Sequence, residues 1–264
     1  MHVMLIARGP KLNPRIFKRL SPKVTVEEHL ATTQSIANLI DQTLLKPEAT
    51  AEDITRLCRE AAEHKFCSVC VNPHWVRLAH ANLEGSSVRV CTVIGFPLGA
   101  NRMKVKSAEA RMALAEGATE LDMVLNIGAL RSGDFAPVRN EITELTDIAH
   151  VGKALLKVIL ETCLLNDEQK VTACRYASEA NADFVKTSTG FSTSGATEQD
   201  IRLMRQAVGP TMGVKASGGI RSLDALRRMV AAGATRIGTS SGVQILREFT
   251  EGVAASTTDK PGAY

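Results

Sequence analysis

The sequence predicts an α/β fold in which eight parallel strands close into a single-domain (β/α)8 TIM barrel. Eight short strand-like runs recur along the chain, helical patterns separate them, and the series fits the length of 264 residues, which is typical of one barrel. A doubly wound open sheet is the alternative fold. It usually carries a nucleotide loop, and neither GxGxxG nor GxxxxGK occurs in the sequence.

The eight runs share a pattern in which apolar residues lead into small or polar residues. In chain order they are IANLIDQT near residue 40, CSVCVN near 69, VRVCTVIGF near 92, TELDMVLN near 122, LLKVILE near 157, DFVKTS near 185, GVKAS near 214 and TRIGTS near 237. Parallel strands need crossover connections, and the helical segments between the runs supply them.

Residues that cap helix N-termini mark the start of several predicted helices. We predict caps with reciprocal hydrogen bonds for three pairs: Thr50 with Asp53, Asn166 with Gln169, and Thr197 with Asp200. Gly209 and Gly233 are placed to end helices, because glycine adopts the left-handed conformation that often follows a last turn.

Charge and hydropathy divide the chain into a barrel and two terminal segments. We expect the barrel over residues 36–252, a basic N-terminal extension over 1–35 that is partly helical or disordered, and a flexible tail over 253–264. The net charge of +4 arises in the extension, which contains six lysines and arginines before the first acidic residue, Glu27. Aromatic residues make up 4% of the chain, fewer than a nucleic-acid surface favours. No apolar run approaches the ~18 residues that span a membrane. The predicted protein is cytoplasmic and binds neither nucleic acid nor membrane.

The six cysteines predict reduced, buried side chains rather than disulfides or a metal site, because no export signal precedes them. Cys67 and Cys70 form a CxxC motif within a strand-like run. Residues three apart on a strand face opposite sides, so this pair is poorly placed to share a metal. We expect no metal and no cofactor.

Lysines interrupt two buried strands, in VKTSTGF at residues 185–191 and VKASGGI at 214–220. Side chains alternate along a barrel strand, so every second residue faces the lumen. This alternation places a charged and polar set inside: Asp41, Thr43, Asp122, Lys157, Lys186 and Lys215. Neighbouring strands lie about 4.8 Å apart, so Lys186 and Lys215 should be within reach of each other.

Paired lysines in a barrel lumen predict Schiff-base chemistry. Only a neutral amine attacks a carbonyl, and a nearby ammonium group together with partial desolvation lowers a lysine's pKa. The alternative is that each buried lysine is held in an ion pair, for which Asp122 and Asp41 supply carboxylates. Three lysines at the C-terminal ends of three consecutive strands, where barrel active sites lie, favour the chemical role.

Glycines and serines after the last three strands predict a phosphate site. Gly190 follows the sixth strand, Gly218 and Gly219 follow the seventh, and GTSSG at 238–242 opens the last helix with Gly238, Ser240 and Ser241. GTSSG also matches the GxSxG motif of serine hydrolases. All six histidines precede Ser240, which is the wrong order for that class, and they are too scattered for a metal triad.

The chain is similar to the deoxyribose-phosphate aldolases, class I aldolases on a TIM barrel. The resemblance extends from about residue 36 to about residue 250, through DQTLLKPEAT, CVNP, VIGFPLG, ELDMVLNIGAL, LKVILET, VKTSTGFSTSGAT, GVKASGGIRS and RIGTSSG. It implies reversible, metal-free cleavage of 2-deoxy-D-ribose 5-phosphate to acetaldehyde and D-glyceraldehyde 3-phosphate in deoxyribonucleotide catabolism, by a homodimer.

The resemblance also implies residue roles. Lys186 matches the Schiff-base lysine, Lys215 the lysine that perturbs it, and Asp122 the carboxylate of the proton relay. Lys157 and Asp41 match lumen residues that organise this network, and Cys70 matches a cysteine beside the aldehyde pocket.

Two positions depart from the family pattern, and a third is the terminal tyrosine. Phe191 stands where some relatives have a lysine, so the phosphate must rely more on backbone and hydroxyl donors. Gln42 stands where many relatives have histidine, and because its side chain should face outward we expect little to depend on it. The terminal Tyr264 is in some relatives an active-site residue; a solvated tail is the alternative.

Two other functions stay open at this point. One is a different class I aldolase or a sugar-phosphate isomerase on a phosphate-binding barrel. The other is a non-catalytic protein that binds sugar phosphates or nucleic acid through the basic N-terminus.

Overall fold

The computed structural model describes residues 25–252 of the chain. Within them, eight parallel strands form a closed barrel in which each strand pairs with its neighbours in sequence and the eighth pairs with the first. This confirms the predicted (β/α)8 TIM barrel. The strands are β1 Ile40–Leu44, β2 Ser68–Val71, β3 Arg89–Ile94, β4 Glu120–Val124, β5 Leu155–Ile159, β6 Phe184–Lys186, β7 Gly213–Ser217 and β8 Arg236–Thr239.

Helices precede the first strand and connect the others around the outside. They are α1 Val26–His29, α2 Thr33–Ala37, α3 Ala51–His64, α4 Val76–Asn82, α5 Met103–Ala115, α6 Ile127–Arg131, α7 Phe135–Val151, α8 Asp167–Glu179, α9 Glu198–Val208, α10 Leu223–Ala232 and α11 Gly242–Glu251. Short 3₁₀ turns at Pro73–Trp75 and Thr162–Leu164 follow β2 and β5.

Two of the three predicted reciprocal caps are present. Thr50 with Asp53 opens α3 and Asn166 with Gln169 opens α8, each pair exchanging two hydrogen bonds. At α9 the Thr197 hydroxyl accepts the backbone N–H of Asp200, but the Asp200 carboxylate does not bond back. It binds the ammonium of Lys170 at 2.7 Å instead, so the third prediction is half wrong.

The strands separate an apolar outer layer from a charged interior. Val69, Val158, Val185 and Val214 are fully buried against the helices. Their neighbours in sequence face the lumen and include lysines that are equally buried, such as Lys157. The interior of the barrel therefore depends on ion pairing, while the surrounding layer has an ordinary hydrophobic core.

The described part of the N-terminal segment packs against the barrel. Leu30, between α1 and α2, is 2% exposed and belongs to the outer core. The rest of the predicted basic extension (residues 1–24) and the tail with Tyr264 (residues 253–264) lie outside the described residues. Of the helices within 25–252, none combines the length and apolar character that a membrane crossing requires.

Glycine at position 213 leaves room for an aromatic ring in the floor of the barrel. A methyl group there would overlap the ring of Phe184, which is buried with the guanidinium carbon of Arg236 5.1 Å from its centroid. Overpacking of this kind costs about 1–3 kcal/mol, so we expect Gly213→Ala to lower the free energy of unfolding by that amount. Urea denaturation measures it.

Gly128→Ala is the matched control. Near a methyl group at Gly128 the closest atom is Oδ1 of Asn126 at 3.7 Å, an ordinary contact, so this variant should unfold at the same urea concentration as the wild type or above it. Equal stability of the two variants would contradict the packing argument.

Candidate active site

Strand register brings the predicted lysines and acids together. Lys186 on β6 lies opposite Lys215 on β7, and Asp122 on β4 lies opposite Lys157 on β5. All four side chains are at most 1% exposed. The alternation of side chains along the strands thus places them in one lumen, as the sequence indicates.

The carboxylate of Asp122 is the centre of this cluster. Its Oδ2 accepts a hydrogen bond from Nζ of Lys186 at 2.8 Å and another from Nζ of Lys215 at 2.7 Å. Its Oδ1 accepts from Nζ of Lys157 at 2.7 Å and from the Cys91 thiol at 3.1 Å. Three amines therefore share one carboxylate, and two of them share a single oxygen.

Two of the three amines have further anionic partners. Lys215 also binds Asp41 Oδ2 at 2.5 Å, and Lys157 also binds Glu120 at 2.7 Å. Burial alone would lower the pKa of Lys215, but the carboxylates of Asp122 and Asp41 outweigh it and raise that pKa above its ordinary value. The same opposition, with Asp122 the largest attractive partner, raises the pKa of Lys157. Both side chains stay ammonium ions at neutral pH.

Lys186 differs from these two lysines. Within residues 25–252, the carboxylate that it binds directly is that of Asp122, which also serves the other two amines. It is 1% exposed and occupies the last position of β6, next to the glycine-rich loops. Among the described residues, Lys186 therefore has one directly bound carboxylate, whereas Lys157 and Lys215 each bind at least two.

Below this layer lie two charged residues that the sequence analysis missed. Arg236 binds Asp41 at 2.7 Å and Glu120 at 2.9 Å, and both Arg236 and Glu120 are buried. Burial opposes ionisation of Asp41, yet the guanidinium of Arg236 and the ammonium groups hold the pKa of Asp41 below its usual range. Glu120 lies two residues before Asp122, so its position in the lumen follows from strand alternation. The pairing of Glu120 with Arg236 on β8 does not follow from alternation, since contacts across the lumen are not visible in the sequence.

The lumen also contains two thiols. Cys70 on β2 and Cys91 on β3 are register partners and both are fully buried. Cys67 precedes β2, is half-buried and accepts from Arg89 at 3.4 Å, so the CxxC residues have different surroundings. Cys91 with Cys70 and Asp122, or with Asp41 and Glu120, brings together atoms that could hold a metal ion. Lys157 Nζ already bonds Cys91 at 3.1 Å, and it also binds Asp122 and Glu120. The lysine ammonium group therefore already lies among donor atoms of both sets.

The glycine residues predicted to bind phosphate line one rim of the barrel. Gly190, Gly218 and Gly219 have φ of +89°, +85° and +80°, a region that glycine enters without strain. A methyl group on Gly218 would lie 2.9 Å from Cα of Gly195 and 3.7 Å from Cα of Gly190. The loops after β6 and β7 therefore pack backbone against backbone. Gly195 is a member of this contact that the sequence analysis missed.

The residues after β8 complete the same rim. Gly238 pairs with Ser217 on β7 and with Asp41 on β1, Ser240 is exposed, and Ser241 lies directly before α11. The expectation that little depends on Gln42 is wrong. Its side chain faces outward as predicted, but its Oε1 accepts the backbone N–H of Gly242 at 3.1 Å and thereby ties β1 to the first turn of α11.

Two other predicted positions have local roles in this structure. The Thr43 hydroxyl donates to the backbone carbonyl of Asp41 at 2.8 Å, within its own strand. The Phe191 ring is 39% exposed and meets Phe96 edge-on, with centroids 5.3 Å apart. An aromatic contact thus stands beside the rim where some relatives have a cation.

Glu161, two residues beyond the end of β5, is another residue missed from sequence. It is 2% exposed, and its carboxylate accepts the backbone N–H of Thr189 at 3.2 Å together with the Thr189 hydroxyl. Its φ of +55° is unusual for a residue with a side chain. The signal available in sequence was an acid shortly after a strand, where the alternation no longer predicts direction.

Known proteins with similar sequence and structure are aldolases. The model of the DeoC/LacD family aldolases matches residues 35–251. A deoxyribose-phosphate aldolase of Brevibacillus brevis is 61% identical over 207 residues, which cover 78% of this chain and 93% of the relative. One from Bacillus cereus (strain Q1) is 57% identical over 218 residues, covering 83% and 97%. The tetrameric structure of deoxyribose phosphate aldolase from Aeropyrum pernix matches with a TM-score of 0.81 at 38% identity, covering 86% of this chain and 96% of that one.

Asp122→Asn tests whether the shared carboxylate stabilises the lumen. The change is isosteric, but it leaves three amines around a neutral amide, and removal of one partner from a buried ion pair costs about 3–5 kcal/mol. We expect a loss of that size in the free energy of unfolding at pH 7, measured by urea denaturation. Asp53→Asn, in the α3 cap at the surface, is the control and should lose much less stability than Asp122→Asn.

The loss from Asp122→Asn should also depend on pH. The neighbouring lysines outweigh burial and hold the pKa of Asp122 well below its usual value, so its ionised form stabilises the fold above the unfolded-state pKa. The stabilisation by the ionised carboxylate is lost progressively as the pH falls below the unfolded-state pKa of Asp122. The difference between wild type and variant should therefore narrow by about 1 kcal/mol between pH 5 and pH 3. A difference that stays constant or grows would contradict the assignment.

Proposed function

The chain belongs to the DeoC/LacD family of aldolases, and we propose that it cleaves 2-deoxy-D-ribose 5-phosphate reversibly to acetaldehyde and D-glyceraldehyde 3-phosphate through a Schiff base on Lys186. One observation carries the proposal. The amines of Lys186 and Lys215 bind the same oxygen of Asp122 in a buried lumen. One lysine that stays charged, a carboxylate that moves protons and a second amine beside both are the groups that Schiff-base chemistry needs.

The first half of the reaction forms the covalent intermediate. Lys186 transfers a proton to Asp122, 2.8 Å away, and its neutral amine adds to C1 of the open-chain sugar. The carbinolamine oxygen takes a proton and leaves as water, which gives the iminium ion. The Lys215 ammonium, 2.7 Å from the same carboxylate oxygen, provides a positive field and a proton donor beside the departing oxygen.

Carbon–carbon cleavage follows from the iminium ion as an electron sink. A base removes the proton of the C3 hydroxyl, the C2–C3 bond breaks, and its electron pair moves through C1 to the iminium nitrogen. D-Glyceraldehyde 3-phosphate leaves, and an enamine remains on Lys186. Protonation at C2 and hydrolysis of the resulting iminium release acetaldehyde and restore the amine. We assign the proton transfers to Asp122 with Lys215, since both lie next to the reacting nitrogen.

The rim of loops sets the position of the sugar along the lumen. Gly190 and Gly219 at the ends of β6 and β7, with Ser240 and Ser241 before α11, lie at the same end of the barrel as Lys186. Backbone N–H groups, hydroxyls and the start of a helix attract a phosphate group. We assign the 5-phosphate to this rim, which would hold C1 against Lys186.

Assembly and location extend the proposal. We propose a cytoplasmic homodimer that acts in deoxyribonucleotide catabolism, on the ground of the family membership. The Aeropyrum pernix relative is tetrameric, so the assembly of this chain needs its own measurement. Light scattering of the purified protein distinguishes monomer, dimer and tetramer by mass.

Lys186→Arg is the direct test of the mechanism. Arginine keeps the charge and bulk but does not form a Schiff base, so we expect kcat to fall by about 10³-fold or more with the fold retained. Release of glyceraldehyde 3-phosphate in a coupled assay measures turnover. Borohydride with acetaldehyde should fix a two-carbon adduct on Lys186 of the wild type and on no lysine of the variant.

Lys170→Arg is the matched control. Lys170 lies on α8, paired with Asp167 and Asp200 away from the lumen, and its replacement should leave turnover and trapping unchanged. Turnover by Lys186→Arg near the wild-type rate, or an adduct on another lysine, would refute the assignment. Trapping without cleavage of deoxyribose 5-phosphate would indicate a different class I aldolase.

A further inference from the structure

The carboxylate of Glu161 fixes the turn that follows the proposed nucleophile. Thr189 donates to it twice, through its backbone N–H at 3.2 Å and through its hydroxyl. The same hydroxyl accepts the backbone N–H of Phe191 at 3.0 Å. This chain of contacts starts on the β5 loop and ends beyond Gly190, so it spans the segment proposed to hold phosphate.

Glu161 occupies an unusual backbone conformation between two residues that are anchored to the neighbouring segment of the chain. Leu160 N bonds the carbonyl of Lys186 at 2.9 Å and Thr162 N bonds that of Thr187 at 3.0 Å, so the backbone is held on both sides of Glu161. Glu161 itself has a φ of +55° and is 2% exposed. Such a conformation persists when the surrounding structure requires it, and here it directs the carboxylate to Thr189.

The turn held by Glu161 contacts the backbone of the loop after β7. Gly190, inside the turn, has a φ of +89°, and its Cα lies 3.7 Å from where a methyl group on Gly218 would stand. Thr187, closer to Lys186, is fixed separately by hydrogen bonds with the backbone of Ser217. The Glu161 contacts therefore control the turn from Thr189 to Phe191 without holding the Lys186 strand itself.

We propose that Glu161 is a positioning residue: acting through Thr189, it holds Gly190 in the conformation that binds the phosphate end of the substrate. The inference rests on the proposed function. Glu161 touches no reacting atom in this scheme and its carboxylate acts on Lys186 only through space, so its loss weakens phosphate binding more than it alters the amine chemistry. Burial raises the pKa of the Glu161 carboxyl, although the hydrogen bonds from Thr189 oppose this, which agrees with a buried acid kept for its acceptor geometry.

Kinetics with two substrates separate positioning from chemistry. We expect Glu161→Ala and Thr189→Val each to raise KM for deoxyribose 5-phosphate about tenfold while kcat changes less than about threefold. With 2-deoxyribose, which lacks the phosphate, kcat/KM should not change. Thr189→Ser restores the hydroxyl and should behave like the wild type. The double variant should be no worse than either single variant, because both remove one connected contact.

The controls distinguish loss of this contact from general damage. Asp183→Ala removes a carboxylate that accepts the backbone N–H of Leu156 at 2.9 Å, before β6 and at the opposite end of the strands, so its KM should stay at the wild-type value. Circular dichroism and thermal unfolding check that each variant is folded at the assay temperature. If Glu161→Ala is unfolded, Glu161→Gln and Thr189→Val decide the question.

Phosphate binding gives a readout that does not depend on turnover. Calorimetric titration with inorganic phosphate should show about tenfold weaker binding by Glu161→Ala or Thr189→Val than by the wild type. Borohydride trapping of acetaldehyde on Lys186 should be equal in all of them. A wild type that binds phosphate but neither traps acetaldehyde nor cleaves the sugar would refute the proposed function alone. Unchanged phosphate affinity in both variants, or equal losses with both sugars, would overturn the role of Glu161.

Discussion

An excess of positive charge in a dry, closed lumen is the constraint on which this structure depends. Lys157, Lys186, Lys215 and Arg236 are buried against three carboxylates, those of Asp41, Glu120 and Asp122. When every group is ionised, the cations outnumber the anions by one. In a medium of low dielectric a buried charge must be paired, so these four cations share the three carboxylates. The barrel supplies that medium, because closure of the sheet and the outer apolar layer keep water from the carboxylates.

Asp122 converts this excess into an asymmetry among the lysines. Lys157 and Lys215 each have a second carboxylate, on β4 and β1 respectively, whereas Lys186 depends on Asp122 among the described residues. The difference arises from position, since Lys186 is the last residue of β6, whereas Lys215 on β7 also reaches Asp41 and Lys157 on β5 also reaches Glu120. A uniform ring of ion pairs would be a stable core and nothing more. Unequal sharing is the feature on which the proposed proton transfer from Lys186 to Asp122 rests.

Much of the fold and the centre of the site could be predicted from the sequence. Strand alternation is a local property, so it assigned Asp122, Lys186 and Lys215 to the lumen before any contact was known. The closed barrel followed from eight strand and helix units. Alternation cannot predict which side chains form ion pairs across or around the lumen. Arg236 meets Glu120 and Asp41 from distant parts of the chain, and no local pattern indicates that.

The incorrect predictions for Gln42 and Asp200 and the failure to predict Glu161 have the same physical origin. Alternation correctly predicts that the Gln42 side chain faces outward. Its contact with Gly242 exists because β1 and β8 close the barrel, which alternation does not describe. Glu161 lies where the strand has ended and the backbone turns left-handed, so neither its direction nor its contact with Thr189 follows from period-two alternation. The spacing from Thr197 predicts that the Asp200 carboxylate caps α9. In the structure Lys170 on the neighbouring helix binds that carboxylate instead. In each case a tertiary contact outweighs the local rule.

The seam between β1 and β8 joins the two ends of the barrel sequence. Residues 41 and 215, 41 and 236, and 42 and 242 meet there, across separations of 174, 195 and 200 positions. Contacts so distant in sequence form late, after most of the loop entropy has been lost. A chain still missing its last strand and final helix would therefore carry Asp41 and Glu120 without Arg236, and Gln42 without the backbone of Gly242. The charge pairing at the base of the lumen is therefore complete only when the last strand of the barrel is in place.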